Sequence, residues 1–256
     1  MKPVIRKIQA IKDFKALIDI QRSAWAFTDL DIEPHSLMTR VQKYGGLLQG
    51  LSWNGRLVGF TYAIIGRQGG EYFLFSHMLA VRREYQGRGF GFLLKKAQRA
   101  AALKMGFPRI RWNFDPLESL NAFFNLHRLG ATSSEYEVNA YGEGESGLHR
   151  GLPTDRLVAT WDLRQSRVEE RMRKKERACR LAAAPASHHG PFSIAPAYIE
   201  IPRDIRALKR RDPEAARRWR LKTRRLFCAA FQARFAASDV VLNPAGDRIF
   251  IELTRG

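Results

Sequence analysis

Leu79-Ala80-Val81-Arg82-Arg83-Glu84-Tyr85-Gln86-Gly87-Arg88-Gly89-Phe90-Gly91 is the stretch on which the fold turns. It leaves an apolar strand, crosses a short polar turn and opens an amphipathic helix. A loop that holds a pyrophosphate needs backbone N–H groups free to point at it, no Cβ where the oxygens approach, and a helix N-terminus behind. Gln86 to Gly91 supplies all three. A glycine turn between a strand and a helix would look similar, so context has to decide. A dinucleotide-binding fold would place its glycines after the first strand, with an acidic residue about 20 positions later. Here the loop follows roughly the fourth strand, and the expected window reads Ile110-Arg111-Trp112, with no acid before Asp115. Gly-Lys-Ser/Thr is absent, which excludes a P-loop.

Upstream, Val4 to Ala10 reads as a strand and Asp13 as the cap of a helix with Phe14, Leu17, Ile18, Gln21 and Trp25 on one face. A second helix covers Pro34 to Tyr44. Leu47 to Trp53 and Arg56 to Gly66 flank Asn54-Gly55, a strong hairpin signal because both turn residues tolerate positive φ. After a loop at Arg67 to Gly70, Glu71 to Val81 is apolar enough for a central strand covered on both faces. Downstream come a helix from Gly91 to Gly106, a strand from Arg109 to Phe114, a helix from Ser119 to Leu129, and strands at Ser134 to Tyr141 and Arg156 to Leu163. The expected class is α/β (α+β), with a mixed, mainly antiparallel central sheet flanked by helices.

The strand Leu79-Ala80-Val81, the turn Arg82 to Tyr85 and Gln86, Gly89 and Gly91 in Gln-x-x-Gly-x-Gly spacing resemble the acyl-CoA motif of the GNAT superfamily. Ser76-His77-Met78, Trp112 to Leu117, Asn121 to Asn125, Leu129-Gly130-Ala131, Asn139 to Gly142, Pro153 to Leu157 and Ile201 to Asp204 extend the likeness to an uncharacterised bacterial and archaeal branch of GNAT acetyltransferases. The resemblance implies acetyl-CoA or another acyl-CoA as co-substrate and no metal. It implies that N–H groups of Gly87, Arg88, Gly89, Phe90, Gly91 and Phe92 bind the pyrophosphate, with Gln86 in the motif and Arg82, Arg83 or Arg88 adding charge. Main-chain groups of Leu79 and Val81 would pair with pantetheine, and the thioester would lie where the fourth and fifth strands splay. Lys95, Lys96 and Arg99 either face the adenosine 3′-phosphate or form a solvated helix face.

Acyl transfer to an amine needs a deprotonated amine, a polarised thioester carbonyl and a proton for the leaving thiolate. Many GNAT enzymes supply that proton from a tyrosine four residues before a glycine turn, a place held here by Leu126. Tyr141 is the preferred replacement over Tyr136. His77 is the candidate base, since histidine titrates near the working pH, against the plainer reading of a core histidine. Asp115 is read either as a carboxylate that binds the amine or orients the base, or as a local cap. Asn121 and Asn125, one helical turn apart, and Arg156 are the candidate substrate-binding residues, Arg156 alternatively pairing with Asp155.

The chain of 256 residues, 45% hydrophobic and 27% charged, is ordinary globular material. It has neither a long uncharged apolar run nor a secretory leader, so a cytoplasmic protein that does not engage membranes is expected. Cys179 and Cys228 have no metal or disulfide spacing. The net charge of +19 gathers toward the C-terminus, where residues 166–256 carry 21 Lys and Arg against 10 Asp and Glu. Residues 1–165 are therefore read as the acyltransferase core and 166–256 as a basic extension packed on it, with a helical stripe of Trp219, Thr223, Leu226, Phe227, Ala230, Phe231 and Phe235 and a closing hairpin at Val240 to Leu242 and Arg248 to Leu253. Two functions follow. One is transfer of an acetyl group, or another short acyl such as succinyl, to a primary amine of a small molecule such as an amino acid. The alternative is a nucleic-acid-associated protein using the Arg-rich helix. A homodimer is compatible with the sequence, which itself fixes no oligomeric state.

Overall fold

The computed structural model describes residues 2–142, 152–173, 179–183, 185 and 192–255. The chain forms two compact units that meet in sequence between Trp112 and Asn113. The first contains β1 (Val4–Lys7), α1 (Ile11–Trp25), α2 (His35–Lys43), β2 (Leu47–Trp53), β3 (Arg56–Gln68), β4 (Glu71–Val81), α3 (Phe90–Lys104) and the start of β5 (Arg109–Phe114). Its strands pair in the order β1-β2-β3-β4-β5, antiparallel up to β4 and parallel between β4 and β5. The Asn54-Gly55 turn is as expected, with φ of 50° and 76°.

Helices cover both faces of this sheet. Phe14, Leu17 and Ile20 of α1 and Met38 of α2 pack with Ile8, Leu48, Phe60, Tyr62, Met78 and Ala80. Phe90 and Leu94 of α3 pack with Leu51 and Val58 on the other side. Each large apolar side chain removed from water contributes about 1.5–3 kcal/mol, so these two layers fix the register. Cover on the α3 face of β4 is incomplete: Phe73, Leu79 and Val81 stay half-exposed, and His77 is exposed. Asp13 does not cap α1. Ala10 takes the N-cap position without a side-chain bond, and Asp13, one turn in, pairs with Arg6 at 2.8 Å.

The alternation of β4 is broken once. Tyr62 faces Met78 and Ile64 faces Phe75, so Ala63 stands opposite both Ser76 and His77. The extra residue is a β-bulge, and it puts His77 and Met78 on the same face. Ser76 hydrogen-bonds Lys95 of α3, His77 meets Tyr62, and Met78 joins the α1 cluster.

The second unit holds the rest of β5, a single α-helical turn α4 (Ser119–Ala122) running into a π-helical segment at Phe123–Arg128, β6 (Tyr136–Glu137), β7 (Arg156–Asp162), α5 (Ser166–Arg173), β8 (Cys179–Arg180), β9 (Ala197–Ile201), α6 (Ile205–Arg211), α7 (Pro213–Gln232), β10 (Phe235–Leu242) and β11 (Ile249–Arg255). Two expectations change here. The helix expected to Leu129 widens after Ala122, with Leu129 N–H donating to Phe124 five residues back, while Arg167 donates to the Leu126 carbonyl. The strand expected from Ser134 to Tyr141 shrinks to Tyr136–Glu137, because Asn139 turns with φ 51°. In the C-terminal part the hairpin is present as β10 and β11, within a sheet ordered β8-β10-β11-β9. The buried stripe of α7 is Ala216, Arg220, Thr223, Phe227 and Ala230. Trp219 is half-buried instead, and Phe235 has left the helix to begin β10.

Candidate functional site

The glycine loop sits between β4 and α3 of the first unit. After a 3-10 turn at Arg83–Tyr85, Gly87 and Gly89 take φ of 77° and 78°, and Gly89 is the N-cap of α3. A Cβ at either glycine would meet nothing within 4 Å, so the left-handed backbone, not crowding, requires glycine. The side chains around the loop are held back. Arg82 Nε donates to the Leu57 carbonyl at 3.3 Å, Gln86 Nε2 donates to the Val81 carbonyl at 3.0 Å, and Arg88 lies 5.4 Å from the centre of the Tyr85 ring. Phe90 and Leu94 anchor the helix behind them, so the first-turn N–H groups, from Phe90 through Gly91 and Phe92, are fixed in direction.

The edge of β4 leading to this loop is open. The β4–β5 ladder consists of Leu74 with Ile110 and Phe75 with Arg111. Beyond it β4 continues for six residues and β5 for three. Arg82 N–H donates to Val58 of β3, so by the alternation of an antiparallel pair the polar groups of Leu79 and Val81 point away from β3, toward this opening.

On the α1 face of the same bulge His77 Nε2 lies 3.2 Å from Glu33 Oε2, and the Tyr62 ring meets His77 edge-on at 5.7 Å. Glu33 is itself fixed. Its N–H donates to Gln21 Oε1 at 2.8 Å, and its carbonyl accepts from Gln21 Nε2 at 3.2 Å. Gln21 is fully buried, whereas the His77 side chain is 38% exposed. With Nε2 donating to the carboxylate, Nδ1 carries the lone pair, which is the tautomer a base needs. Burial, reinforced by Glu33, pushes the Tyr62 phenol well above its usual range.

The other expected residues lie in the second unit, where they form a group of their own. Asp115 accepts from the Leu117 N–H at 2.8 Å, as a local cap would, and its two oxygens take a bidentate fork from Arg220, with contacts of 2.8 and 2.5 Å. Arg156 reaches Asp115 at 3.9 Å, donates to the Asp155 carbonyl, and lies over the Tyr141 ring at 5.0 Å. Asp155 is held by both donors of Arg224 and by Tyr136 O–H, each at 2.8 Å. Burial pushes the Asp155 carboxyl up, but these bonds and the Asn139 N–H outweigh it and hold the group low. The Tyr136 phenol is driven up, first by burial and then by Asp155. Tyr141 is 58% exposed. Asn125, buried, donates to Asn121 Oδ1 at 3.2 Å.

Three residues central to these clusters escape a reading by motif. Glu33 sits in an unpatterned loop. Arg220 occupies an inward position at a spacing of 216, 220, 223 and 227, which would have flagged it had charge not argued for solvent. Lys95, expected at the surface of α3, is 2% exposed. Among the described residues no cluster of three or more His, Cys, Asp or Glu could hold a metal ion, and no helix is long and apolar enough to cross a membrane.

Comparison with known proteins agrees with the geometry. Among curated proteins none matches this sequence. Among solved structures, yncA from Salmonella typhimurium, determined with its cofactor acetyl-CoA, is 17% identical with a TM-score of 0.52, over 64% of this chain and 96% of that one. An N-acetyltransferase from Staphylococcus aureus Mu50 is 14% identical, also with a TM-score of 0.52, over 64% and 99% of the two chains. Residues 14–130 match the family model of the Acetyltransferase (GNAT) family. With its glycine loop opening α3 and its parallel β4–β5 pair parting beside it, this stretch is a GNAT-family N-acetyltransferase domain.

Proposed function

We propose that the protein transfers an acetyl or other short acyl group from CoA to a primary amine of a small molecule, an amino acid being one example. The observation that carries the reading is the end of the β4–β5 ladder at Phe75 and Arg111 on the same strand that runs into the glycine loop. Pyrophosphate is bound by the N–H groups from Gly87 to Phe92, where the positive end of α3 favours an anion. The pantetheine amides pair with the outward-facing backbone of Leu79 and Val81, which brings the thioester down the opening toward the bulge.

There His77 Nδ1 removes a proton from the acceptor ammonium while Glu33 holds the ring. The free amine attacks the thioester carbon, the C–N bond forms, the C–S bond breaks, and the thiolate takes a proton to leave as CoA thiol. Tyr141 stands as the proposed donor of that proton, on the strength of its exposed phenol and the branch resemblance. Asp115 and Arg156 are already engaged, with Arg220 and with each other, so their proposed part is to shape the second unit more than to grip a ligand. Asn121 and Asn125 are kept as polar contacts for the acceptor. The reading includes a core of residues 1–165 with a packed basic extension, and a cytoplasmic location.

Calorimetry with acetyl-CoA tests it. Wild type is expected to bind, and a Gly89→Asp, Gly91→Asp variant that still melts cooperatively is expected to lose binding, because both changes put carboxylates where the pyrophosphate sits. Equal affinity for the two proteins would overturn the proposal. A thiol-release screen of amines with acetyl-CoA then identifies the acceptor.

A further inference from the structure

Lys95 lies in the second turn of α3 with its side chain turned into the sheet. Its Nζ donates to Ser76 Oγ at 3.0 Å and Gln98 Oε1 at 3.1 Å, and stands 3.8 Å from the centroid of the Trp112 ring. Gln98 Nε2 in turn donates to Thr61 Oγ1 at 2.6 Å and Ser76 Oγ at 3.1 Å. Ser76 and Trp112 are the residues that follow the last β4–β5 pair, Phe75 with Arg111. The ammonium therefore sits between the two strands at the place where they part.

Such a cation is costly for the scaffold. Ser76, Gln98, Thr61 and Trp112 are neutral, none of them ionises near neutral pH, and burial brings the Lys95 amine down to about 7. A methionine of similar length would fill the same space without desolvating a charge. At the base of an opening that admits a thioester, however, a cation has a use. An alkyl chain ending there would bury methylene groups against hydroxyl, amide and amine, disturbing their hydrogen bonds. A chain ending in a carboxylate would bring the missing counter-charge and make a charge-assisted bond.

Resting on the acyl-CoA reading above, we infer that Lys95 closes the acyl pocket and selects short acyl groups that end in a carboxylate, of the succinyl type, over alkyl acyl groups of the same length. Calorimetric titration of wild type, Lys95→Met and Lys95→Gln with acetyl-CoA, butyryl-CoA and succinyl-CoA tests this. Wild type is expected to prefer succinyl-CoA to butyryl-CoA by about tenfold or more, the scale of one good polar contact. In Lys95→Met the preference is expected to vanish or invert.

A second readout does not depend on a variant folding. At pH 8 the wild-type amine is mostly neutral, and a bound carboxylate would recharge it, so succinyl-CoA binding takes up a proton that butyryl-CoA binding does not. Repeating the titration in two buffers of different ionisation enthalpy measures that proton, and Lys95→Gln should abolish it. If no acyl-CoA binds to wild type, the functional reading itself fails and takes this inference with it. If acetyl-CoA binds but succinyl-CoA shows neither preference nor proton uptake, the selectivity claim alone is overturned.

Discussion

Arg220 and Glu33 show how one side chain comes to govern a cluster. Arg220, 1% exposed, places both donors of its guanidinium on Asp115. Burial alone would lower its pKa, but Asp115, as charge and as acceptor, more than reverses that. Removing the arginine leaves a carboxylate with its main partner gone, a loss that costs about 3–5 kcal/mol in buried pairs. Arg220→Ala should therefore melt well below wild type, and adding Asp115→Asn to it should recover part of the loss. Chemical denaturation of the single and double variants checks both. Glu33 acts on function instead. Glu33→Gln keeps the shape but no longer fixes the His77 tautomer, and His77→Ala removes the base. Turnover should fall on the order of 10²-fold or more for His77→Ala and by less for Glu33→Gln, in both cases on kcat more than on KM for acetyl-CoA. Steady-state kinetics with the first acceptor that supports thiol release decides the order.

Among the elements, α3 and α7 carry the most instructive contrast. Gly89 needs its positive φ to turn the chain into α3, and an L residue there is strained by about 1–2 kcal/mol although space is free around it. Gly89→Ala should lower Tm by a few degrees, measurable by calorimetry against wild type. This part of the fold was legible because backbone chemistry shows in sequence: glycines where φ is positive, Asn54-Gly55 at the hairpin, Asp212 before Pro213. Asp212 does cap α7, accepting from Ala215 N–H at 2.8 Å. β4 was also read to its true ends, Glu71 and Val81. What stayed hidden is what depends on partners distant in the chain. Arg220 is inward because Asp115 lies 105 positions away, Lys95 because Ser76 of β4 receives it, and the His77 partner sits 44 residues upstream. Nothing in the local pattern around 33, 95 or 220 distinguishes a charge that meets a buried acceptor from one that meets water. The bulge is a further case, since the composition of β4 gives no sign that Ser76 and His77 together face one residue.

At the scale of the whole molecule, buried ionisable groups set how stability follows pH. The Asp155 carboxyl is held low in the folded state, so its contribution is present above the ordinary carboxylate range, near 3.9, and is lost as pH falls through the folded value. Lys95 works in the opposite sense. Its folded pKa, about 7, is below its unfolded value, so the unfolded chain binds more protons between there and about 10.5, and this group's contribution improves as pH rises across that window. Denaturant titrations at pH 7, 8 and 9 should show any advantage of Lys95→Met over wild type shrinking with each step. A sharper question is whether the C-terminal part can be removed. Within the second unit α7 supplies Arg220 to Asp115 and Arg224 to Asp155, stacks Phe227 on Tyr136, and leads into β10, whose Ala237 bridges Ser133. A chain ending at Gln165 would keep both aspartates and lose both guanidinium forks, and it would leave Tyr136 and Leu157 without the apolar cover of α7 and β10. The desolvated carboxylates alone would then outweigh much of the 5–15 kcal/mol by which domains are ordinarily stable. The 1–165 fragment should consequently be recovered aggregated or without a cooperative melt, whereas the full chain melts cooperatively. A monodisperse fragment in size-exclusion chromatography, with a sharp thermal transition and undiminished acetyl-CoA binding, would show instead that residues 166–256 are dispensable for the acyltransferase domain.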